Sequence, residues 1–389
     1  MTNAALRGKP DAGNPHVRFD EGEVAPVTTP RRGSLLYKVT YICSLVEMLS
    51  LTVEASVTGL MTDHLVEPGH IGPTPSFSWR MDVPRTGAWQ TAYRIQVRYV
   101  AHGRSEEPTV WDSGEVVDGR SIGIVYGGEP LASARRYAWK VSVKDERGKW
   151  TESEYAHFTT GILLDGDWNG ADWIAPDLDG KYGLRTGCFR RTFANEKEVA
   201  EAWWTVAAAG VFEAYANGNT VTDDFLKPGF THTAKVRQAC TYDVTDRIER
   251  RAGATNVFAV VVSPSWCRDR ITRRYDATLA PTLRAVLVLR HADGTETHVV
   301  TDGDWQAAMD RHPVHSSGIY EGETVDAREN LGWLAGGDLD WCQAKTGNRD
   351  FRGEVRNFRG PPVRLREDLS MRPVAVWVVN GTKIGRAHV

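Results

Sequence analysis

Hydrophobic and polar residues alternate along several short stretches of this chain. Between Ala92 and Val100, and again between Arg136 and Asp145, apolar side chains occupy about every second position. A period of two is typical of β-strands that bury one face. Turn residues separate such stretches at short intervals, with no helical period between them. The pattern predicts a mainly β protein that begins with a fibronectin III or immunoglobulin-like sandwich over residues 51–162.

The alternation breaks after this region, where glycine, aspartate and tryptophan concentrate between Asp165 and Gly180. We therefore place a linker over residues 163–184. β-Rich stretches resume at Cys188 and continue to about Gln343, with turn dipeptides such as Asn217-Gly218 between them. Asn-Gly readily adopts the positive φ angles that a two-residue hairpin turn requires. These features predict a second sandwich, of the jelly-roll type, over residues 185–345.

The most distinctive stretch of the second sandwich is "YANGNTVTDDFLKPGFT", from Tyr215 to Thr231. It combines the hairpin dipeptide with two neighbouring acids, Asp223 and Asp224, and a second turn at Pro228-Gly229. Carboxylates accept hydrogen bonds from sugar hydroxyls and ligate calcium, although two acids alone do not complete a calcium site. The alternative is that both acids only stabilise the turn.

This stretch resembles the amino-terminal β-sandwich domain of bacterial α-L-rhamnosidases, glycoside hydrolase family 78. Further blocks follow the family's order and extend the resemblance from about Glu54 to Lys383: "PSFSWRM", "QTAYRIQV", "WDSGEV", "RYAWKVSVKDERG", "IYEGETVDAR" and "PPVRLREDL". Family members hydrolyse terminal α-L-rhamnose with inversion of configuration. The resemblance therefore implies a hydrolase of carbohydrate metabolism, with rhamnose-containing glycosides as its partners.

The resemblance also implies how far the chain extends into the family's architecture. Residues 346–383 are similar to the start of a concanavalin-like β-domain, and the tail 384–389 has no counterpart and is interpreted as non-native. The family's two catalytic acids lie on an (α/α)₆ barrel, and no stretch here has that helical pattern. We expect a C-terminally truncated amino-terminal portion that has no catalytic residue and no activity of its own. The alternative is a stand-alone carbohydrate-binding protein.

Candidate binding residues follow from the same resemblance. In some family members the jelly-roll domain is a calcium-dependent rhamnose-binding module with an acidic pair in this loop, which implies sugar and calcium binding for Asp223 and Asp224. Trp266 stands where a strand ends, so that stacking on a sugar and core packing are both open. Asn217 is a further sugar contact or only a turn residue. Neighbouring side chains on a strand point to opposite faces, so we predict that the two acids cannot flank one glycosidic bond.

Composition excludes several other functions. The chain has 47 basic and 50 acidic residues and a formal charge of -3, without the basic footprint of a nucleic-acid-binding protein. Its five cysteines include no Cys-x-x-Cys pair, which favours reduced thiols over disulfides or zinc.

The first part of the chain matches nothing in the family, and we expect residues 1–50 to be an unstructured or artefactual extension. The apolar run within it, from Pro30 to Val53, is interrupted by Lys38 and Glu47. We therefore predict neither an export signal nor a membrane span, and we favour a cytoplasmic location. The oligomeric state is left open.

Overall fold

The alternating stretches of the sequence are strands in the computed structural model. The structure describes residues 55–102, 108–177, 182–267, 280–318, 322–337, 340–347, 351, 353–379 and 382–387. These residues all belong to the unit that runs from Glu54 to Val389. The predicted extension over residues 1–50 lies outside the described residues.

The first sandwich contains eight strands: β1 (Ser56–Thr62), β2 (Ser76–Asp82), β3 (Gln90–Val100), β4 (Thr109–Asp112), β5 (Ile124–Val125), β6 (Arg136–Asp145), β7 (Trp150–Glu152) and β8 (Ala156–Thr159). They form a three-stranded sheet in the order β1-β2-β5 and a five-stranded sheet in the order β4-β3-β6-β7, with β8 paired to β6. All of these pairings are antiparallel. The fold class predicted from the sequence is confirmed for this region.

The register between β3 and β6 shows why alternation predicted these strands correctly. Ile95 lies opposite Val141 and Val97 opposite Trp139, and all four side chains are fully buried. The intervening Arg94 is exposed. One face of the sheet therefore builds the core of the first sandwich, because inward residues on neighbouring strands meet in pairs.

The described residues of the second sandwich form fifteen strands: β9 (Ile174–Ala175), β10 (Gly187–Ala194), β11 (Val199–Ala208), β12 (Val211–Ala216), β13 (Asn219–Thr220), β14 (Val236–Asp243), β15 (Thr255–Ser263), β16 (Leu283–His291), β17 (Glu296–Val300), β18 (Gln306–Met309), β19 (Val314–Gly318), β20 (Gly322–Val325), β21 (Cys342–Gln343), β22 (Lys345–Thr346) and β23 (Glu354–Asn357). One sheet has the order β13-β12-β15-β10-β18-β21. The other has the order β22-β9-β16-β11-β14-β23, with β17 paired to β16. Strands β19 and β20 form a separate hairpin.

The two large sheets pack face to face over a shared hydrophobic core. Phe212 and Phe258 of the six-stranded sheet meet Trp204 and Leu287 of the seven-stranded sheet in this core. Strand β11 is buried on both faces, because Trp203 on its other side packs in a second cluster. A strand that is covered on both sides has a continuous apolar sequence without alternation.

The domain boundaries in the structure differ from those expected at both ends of the second sandwich. Strand β9 lies within the expected linker 163–184, yet it pairs with β16 and β22. Strand β23 lies beyond the expected boundary at residue 345, yet it pairs in parallel with β14. Both short strands are part of the seven-stranded sheet. Their sequences are too short to show the alternation that predicts a strand.

The remaining elements are a hairpin and five short turns. Strands β24 (Pro373–Val379) and β25 (Thr382–Ala387) pair with each other, the latter reaching into the segment interpreted as a non-native tail. The 3₁₀ turns are Asp165–Trp168, Thr245–Arg247, Ser265–Cys267, Gly332–Ala335 and Glu367–Leu369. Within the described ranges, no helix is long and apolar enough to cross a membrane.

Polar contacts join the two sandwiches. The Tyr99 hydroxyl donates a hydrogen bond of 3.0 Å to the carboxylate of Glu201 on β11, and the His102 backbone N–H donates another of 2.8 Å. The guanidinium of Arg290 on β16 donates to the Ala134 carbonyl at 2.9 Å. Glu201 and Arg290 are themselves 3.5 Å apart. A buried charged network therefore holds the sandwiches together.

Candidate functional site

The hairpin between β12 and β13 forms as predicted. Asn217 and Gly218 adopt φ angles of 49° and 82°, the two positive values of a tight hairpin turn. The Asn217 side-chain oxygen accepts a hydrogen bond from Val257 N at 2.8 Å, and its amide nitrogen donates to Asn256 Oδ1 at 2.8 Å and to the Arg247 carbonyl at 3.2 Å. The amide is thus engaged within the fold, which supports the turn role. Its sugar contact stays a prediction.

Asp223 and Asp224 lie in the loop after β13 and face a single arginine. Arg364 Nε is 3.2 Å from Asp223 Oδ1 and 3.3 Å from Asp224 Oδ1. The backbone N–H of Phe225 also donates to the Val363 carbonyl at 2.8 Å. The acid loop, residues 222–226, is therefore held by a segment about 140 residues further along the chain.

The prediction that these two side chains point to opposite faces is wrong. It assumed a strand, whereas both residues lie in a loop, where the backbone can turn both carboxylates toward the same guanidinium. Their contacting oxygens share one nitrogen and lie close together. An inverting glycosidase instead holds its two carboxyl groups ~6.5–9.5 Å apart to leave room for water. The pair still has no catalytic geometry, for a different reason.

The described residues do not fit a calcium site. Calcium takes about six to eight oxygen ligands, and the acid loop offers two carboxylates that already contact a cation, Arg364. Within the described ranges, no group of three or more His, Cys, Asp or Glu residues could hold a metal ion. Calcium binding at Asp223 and Asp224 stays a prediction without a complete ligand set.

A cavity of about 280 Å³ lies beside the acid loop, and we call it the loop cavity. Phe225 and Leu226 of the acid loop form part of its wall. Other parts of the wall come from β12, the end of β15 and the β19–β20 hairpin; from these elements Glu213, Ser263 and Glu323 line it. The loop cavity therefore brings together residues that are distant in sequence.

Glu213 in the wall of the loop cavity has a buried cationic neighbour. Lys227 Nζ is 3.6 Å from Glu213 Oε2, and the lysine side chain is only 5% exposed. Lys227 Nζ has no hydrogen-bond partner among the described atoms. Burial raises the pKa of the Glu213 carboxyl, and the nearby ammonium opposes that rise. Sequence reasoning missed this residue, although a glutamate in the apolar run "VFEAYA" was a usable signal.

Histidines of the same hairpin have internal partners. His312 lines the loop cavity, its Nδ1 accepts a hydrogen bond from Val314 N at 3.2 Å, and burial lowers its pKa. His315 Nε2 lies 3.0 Å from Glu329. Arg328 donates a hydrogen bond of 2.8 Å to Asp326, while the neighbouring Glu321 lies outside the described residues.

Two tryptophans that line another cavity already have a ring face covered by an arginine side chain. Arg284 covers Trp168 at 4.4 Å and Arg237 covers Trp173 at 4.4 Å. The predicted contact Trp266 has its backbone in the turn Ser265–Cys267, but its side chain lies outside the described part of the chain. Its role in sugar stacking stays a prediction.

The cysteines of the described residues are thiols that form no disulfide with one another. Cys188, Cys240 and Cys267 are buried and Cys342 is exposed, while Cys43 lies outside the described residues. Burial raises the pKa of Cys188 and of Cys240 to about 12. These two thiols are therefore unsuited to act as nucleophiles at neutral pH.

Comparison with known families tests the resemblance to α-L-rhamnosidases. Residues 197–367, which include the acid loop and most of the loop cavity, match the model of the α-L-rhamnosidase N-terminal domain. Residues 57–164 match the model of the Rha78A-like, N-terminal immunoglobulin domain. The chain carries the amino-terminal domains of the α-L-rhamnosidase family. The resemblance seen in the sequence is thus confirmed.

Individual relatives agree with the family models. The chain is 32% identical over 273 residues to an α-L-rhamnosidase of Formosa agariphila, which is 67% of this chain and 29% of that protein. It is 31% identical over 247 residues to one of Streptomyces avermitilis, covering 61% of this chain and 23% of that protein. The solved α-L-rhamnosidase structure from Dictyoglumus thermophilum superimposes with a TM-score of 0.71 at 25% identity, over 85% of this chain and 38% of that one. The α-L-rhamnosidase domains of this chain therefore span well under half the length of these relatives.

Proposed function

We propose that this chain supplies the amino-terminal β-sandwich domains of an α-L-rhamnosidase that hydrolyses terminal α-L-rhamnose from rhamnosides with inversion. The observation that carries the proposal is the match of two successive domains, residues 57–164 and 197–367, to amino-terminal domains of this one family. The relatives that align with both regions are named α-L-rhamnosidases.

Within such an enzyme, the role of these domains is structural and binding rather than catalytic. Inversion needs one carboxylic acid to protonate the leaving oxygen and one carboxylate to activate water. Asp223 and Asp224 contact the same Arg364 nitrogen and cannot flank a sugar and a water together. The 389-residue chain is therefore expected to have no hydrolytic activity of its own.

A chimera tests the family role directly. Residues 55–367 of this chain replace the corresponding domains of the Streptomyces avermitilis enzyme, and hydrolysis of an aryl α-L-rhamnoside is measured against the parent enzyme and a deletion lacking those domains. We expect the chimera to retain activity within about tenfold of the parent and the deletion to lose it. A folded chimera no more active than the deletion would contradict the proposal.

The sugar and calcium roles of Asp223 and Asp224 have a separate test. Calorimetric titration of L-rhamnose, with calcium and with a chelator, compares the wild-type chain with Asp223→Ala. Calcium-dependent binding that the substitution abolishes would support these roles. Unchanged heats in all four titrations would contradict them.

A further inference from the structure

We propose that the loop cavity binds a phenolic ring, and that the ring is the aglycone portion of a rhamnoside. This inference rests on the proposed function only for the identity of the larger molecule. The class of ligand is inferred from the cavity itself. Its volume of about 280 Å³ is close to the lower end of the range of volumes found for ligand pockets.

Hydrocarbon side chains form much of the cavity wall. Val211, Val261 and Val314 line it from three different strands, and Phe225 and Leu226 line it from the acid loop. Phe225 and Leu226 remain 41% and 46% exposed, so apolar surface at the rim is available to a ligand. A planar hydrocarbon ring gains about 25 cal/mol for each Å² of such surface that it removes from water.

Three hydroxyl groups of the wall lie within hydrogen-bond distance of one another. Ser263 Oγ is hydrogen-bonded to Ser317 Oγ, and Thr186 Oγ1 lies 3.5 Å from Ser263 Oγ. A pyranose carries hydroxyls around most of its ring, and each one that is buried without a partner costs about 1–3 kcal/mol. Because these three hydroxyls already pair with one another, this side of the wall disfavours a sugar ring and tolerates an aromatic one.

The carboxylates of the cavity suit a phenolic hydroxyl. The charge of the buried Lys227 ammonium, 3.6 Å away, opposes the rise that burial causes in the pKa of the Glu213 carboxyl, and the carboxyl can accept a hydrogen bond in either protonation state. A phenol is a stronger acid than a sugar hydroxyl, and an O–H donor to a carboxylate forms a short, charge-assisted hydrogen bond. Glu323 lines the same cavity from β20 and provides a second acceptor for a ring with two hydroxyls.

Binding of catechol to the 389-residue chain tests the proposal. Saturation-transfer NMR and calorimetry compare catechol with cyclohexane-1,2-diol, which has the same carbon and hydroxyl count without the aromatic ring, and with L-rhamnose. We expect catechol to bind at least tenfold more tightly than either. Glu213→Gln should weaken catechol at least tenfold, whereas Glu152→Gln, which alters an exposed lysine-paired glutamate of the first sandwich, should change it less than twofold.

A second variant keeps the test valid if Glu213→Gln fails to fold with Lys227 unpaired. Val211→Phe fills the cavity from a half-buried strand position and should abolish catechol binding while the far-ultraviolet circular dichroism stays that of the wild type. Equal or tighter binding of L-rhamnose, no catechol binding at all, or catechol binding unaffected by both variants would overturn the proposal. The chimera measures hydrolysis and this titration measures binding, so either result can fail without the other.

Discussion

Two regions of the molecule pair a carboxylate with an arginine, with opposite consequences. At the junction of the sandwiches, Glu201 is 6% exposed and accepts hydrogen bonds from two groups of the first sandwich while facing Arg290. In the acid loop, the side chains of Asp223 and Arg364 are 72% and 57% exposed. Water screens the second pair and not the first. Burial, rather than the identity of the two residues, therefore determines how much such an ion pair contributes to stability.

The largest expected effect is at the junction. Glu201→Ala leaves the Tyr99 hydroxyl without its buried acceptor and removes one of the two carboxylates paired with Arg290, which keeps Glu296 at 2.8 Å; we expect the free energy of unfolding to fall by about 3 kcal/mol. Urea denaturation of the purified chain measures the change. The matched control is Asp223→Ala, which removes an exposed carboxylate and should cost less than about 1 kcal/mol. Equal losses in the two variants would refute the comparison.

The next effect is a pH dependence at the same junction. His70 of the first sandwich accepts a hydrogen bond from Thr241 N of β14 at 2.8 Å, and burial lowers its pKa from 6.5 to about 4. The unfolded chain therefore binds a proton between these values while the folded chain does not, so stability is lost as the pH falls below about 6.5 and unchanged above it. Between pH 7 and pH 5 the loss from this group is about 2 kcal/mol.

His70→Asn isolates this contribution. The asparagine side chain retains an acceptor for Thr241 N but has no proton to bind, so the slope of unfolding free energy between pH 5 and pH 7 should become shallower. Urea titrations of both proteins at the two pH values give the difference directly. Parallel pH curves for wild type and variant would show that His70 titrates alike in the folded and unfolded chain.

A smaller effect is expected where β23 meets the connecting segment. The Asn357 side chain accepts a hydrogen bond from Ile162 N at 3.1 Å and donates one to the Ile162 carbonyl at 2.8 Å. Asn357→Ala removes both bonds, and we expect a loss of about 1.5 kcal/mol in chemical denaturation. The neighbouring Arg356→Ala alters an exposed pair with Glu354 and serves as the control, with a change within about 0.5 kcal/mol.

The smallest effect is expected in the acid loop itself. Arg364→Ala removes the partner of Asp223 and Asp224, and because the arginine and Asp223 are both largely exposed, its loss should cost about 0.5 kcal/mol or less at physiological salt. Thermal denaturation at low and high salt should show little difference between variant and wild type. A loss as large as that of Glu201→Ala would mean that the loop contributes to the fold as strongly as the junction.

Local patterns predicted much of the fold and little of the site. Alternation identified β3 and β6, and the Asn217-Gly218 dipeptide identified a hairpin turn, because both depend on neighbouring residues alone. The pairing of β23 with β14 depends on partners more than 100 residues apart, which no short motif encodes. The same holds for the contact of Arg364 with the acid loop.

Burial explains the remaining differences. Glu213 and Glu201 stand in largely apolar runs, where their partners Lys227 and Arg290 become visible only when the strands are assembled. Asp223 and Asp224 were the more obvious candidates because they are adjacent and surrounded by turn residues, yet the exposure of Asp223 and of their partner Arg364 limits what their ion pairs can contribute. A charged residue in a strand that is otherwise apolar was the more informative signal in this chain.

The most direct test of the account is the incubation of the purified 389-residue chain with 4-nitrophenyl α-L-rhamnopyranoside, with nitrophenol followed by absorbance. We predict release no faster than in buffer, because the contacting oxygens of Asp223 and Asp224 share one Arg364 nitrogen and do not leave room for a sugar and a water between them. Saturable release that scales with protein concentration and disappears in Glu213→Gln or Asp224→Asn would contradict it.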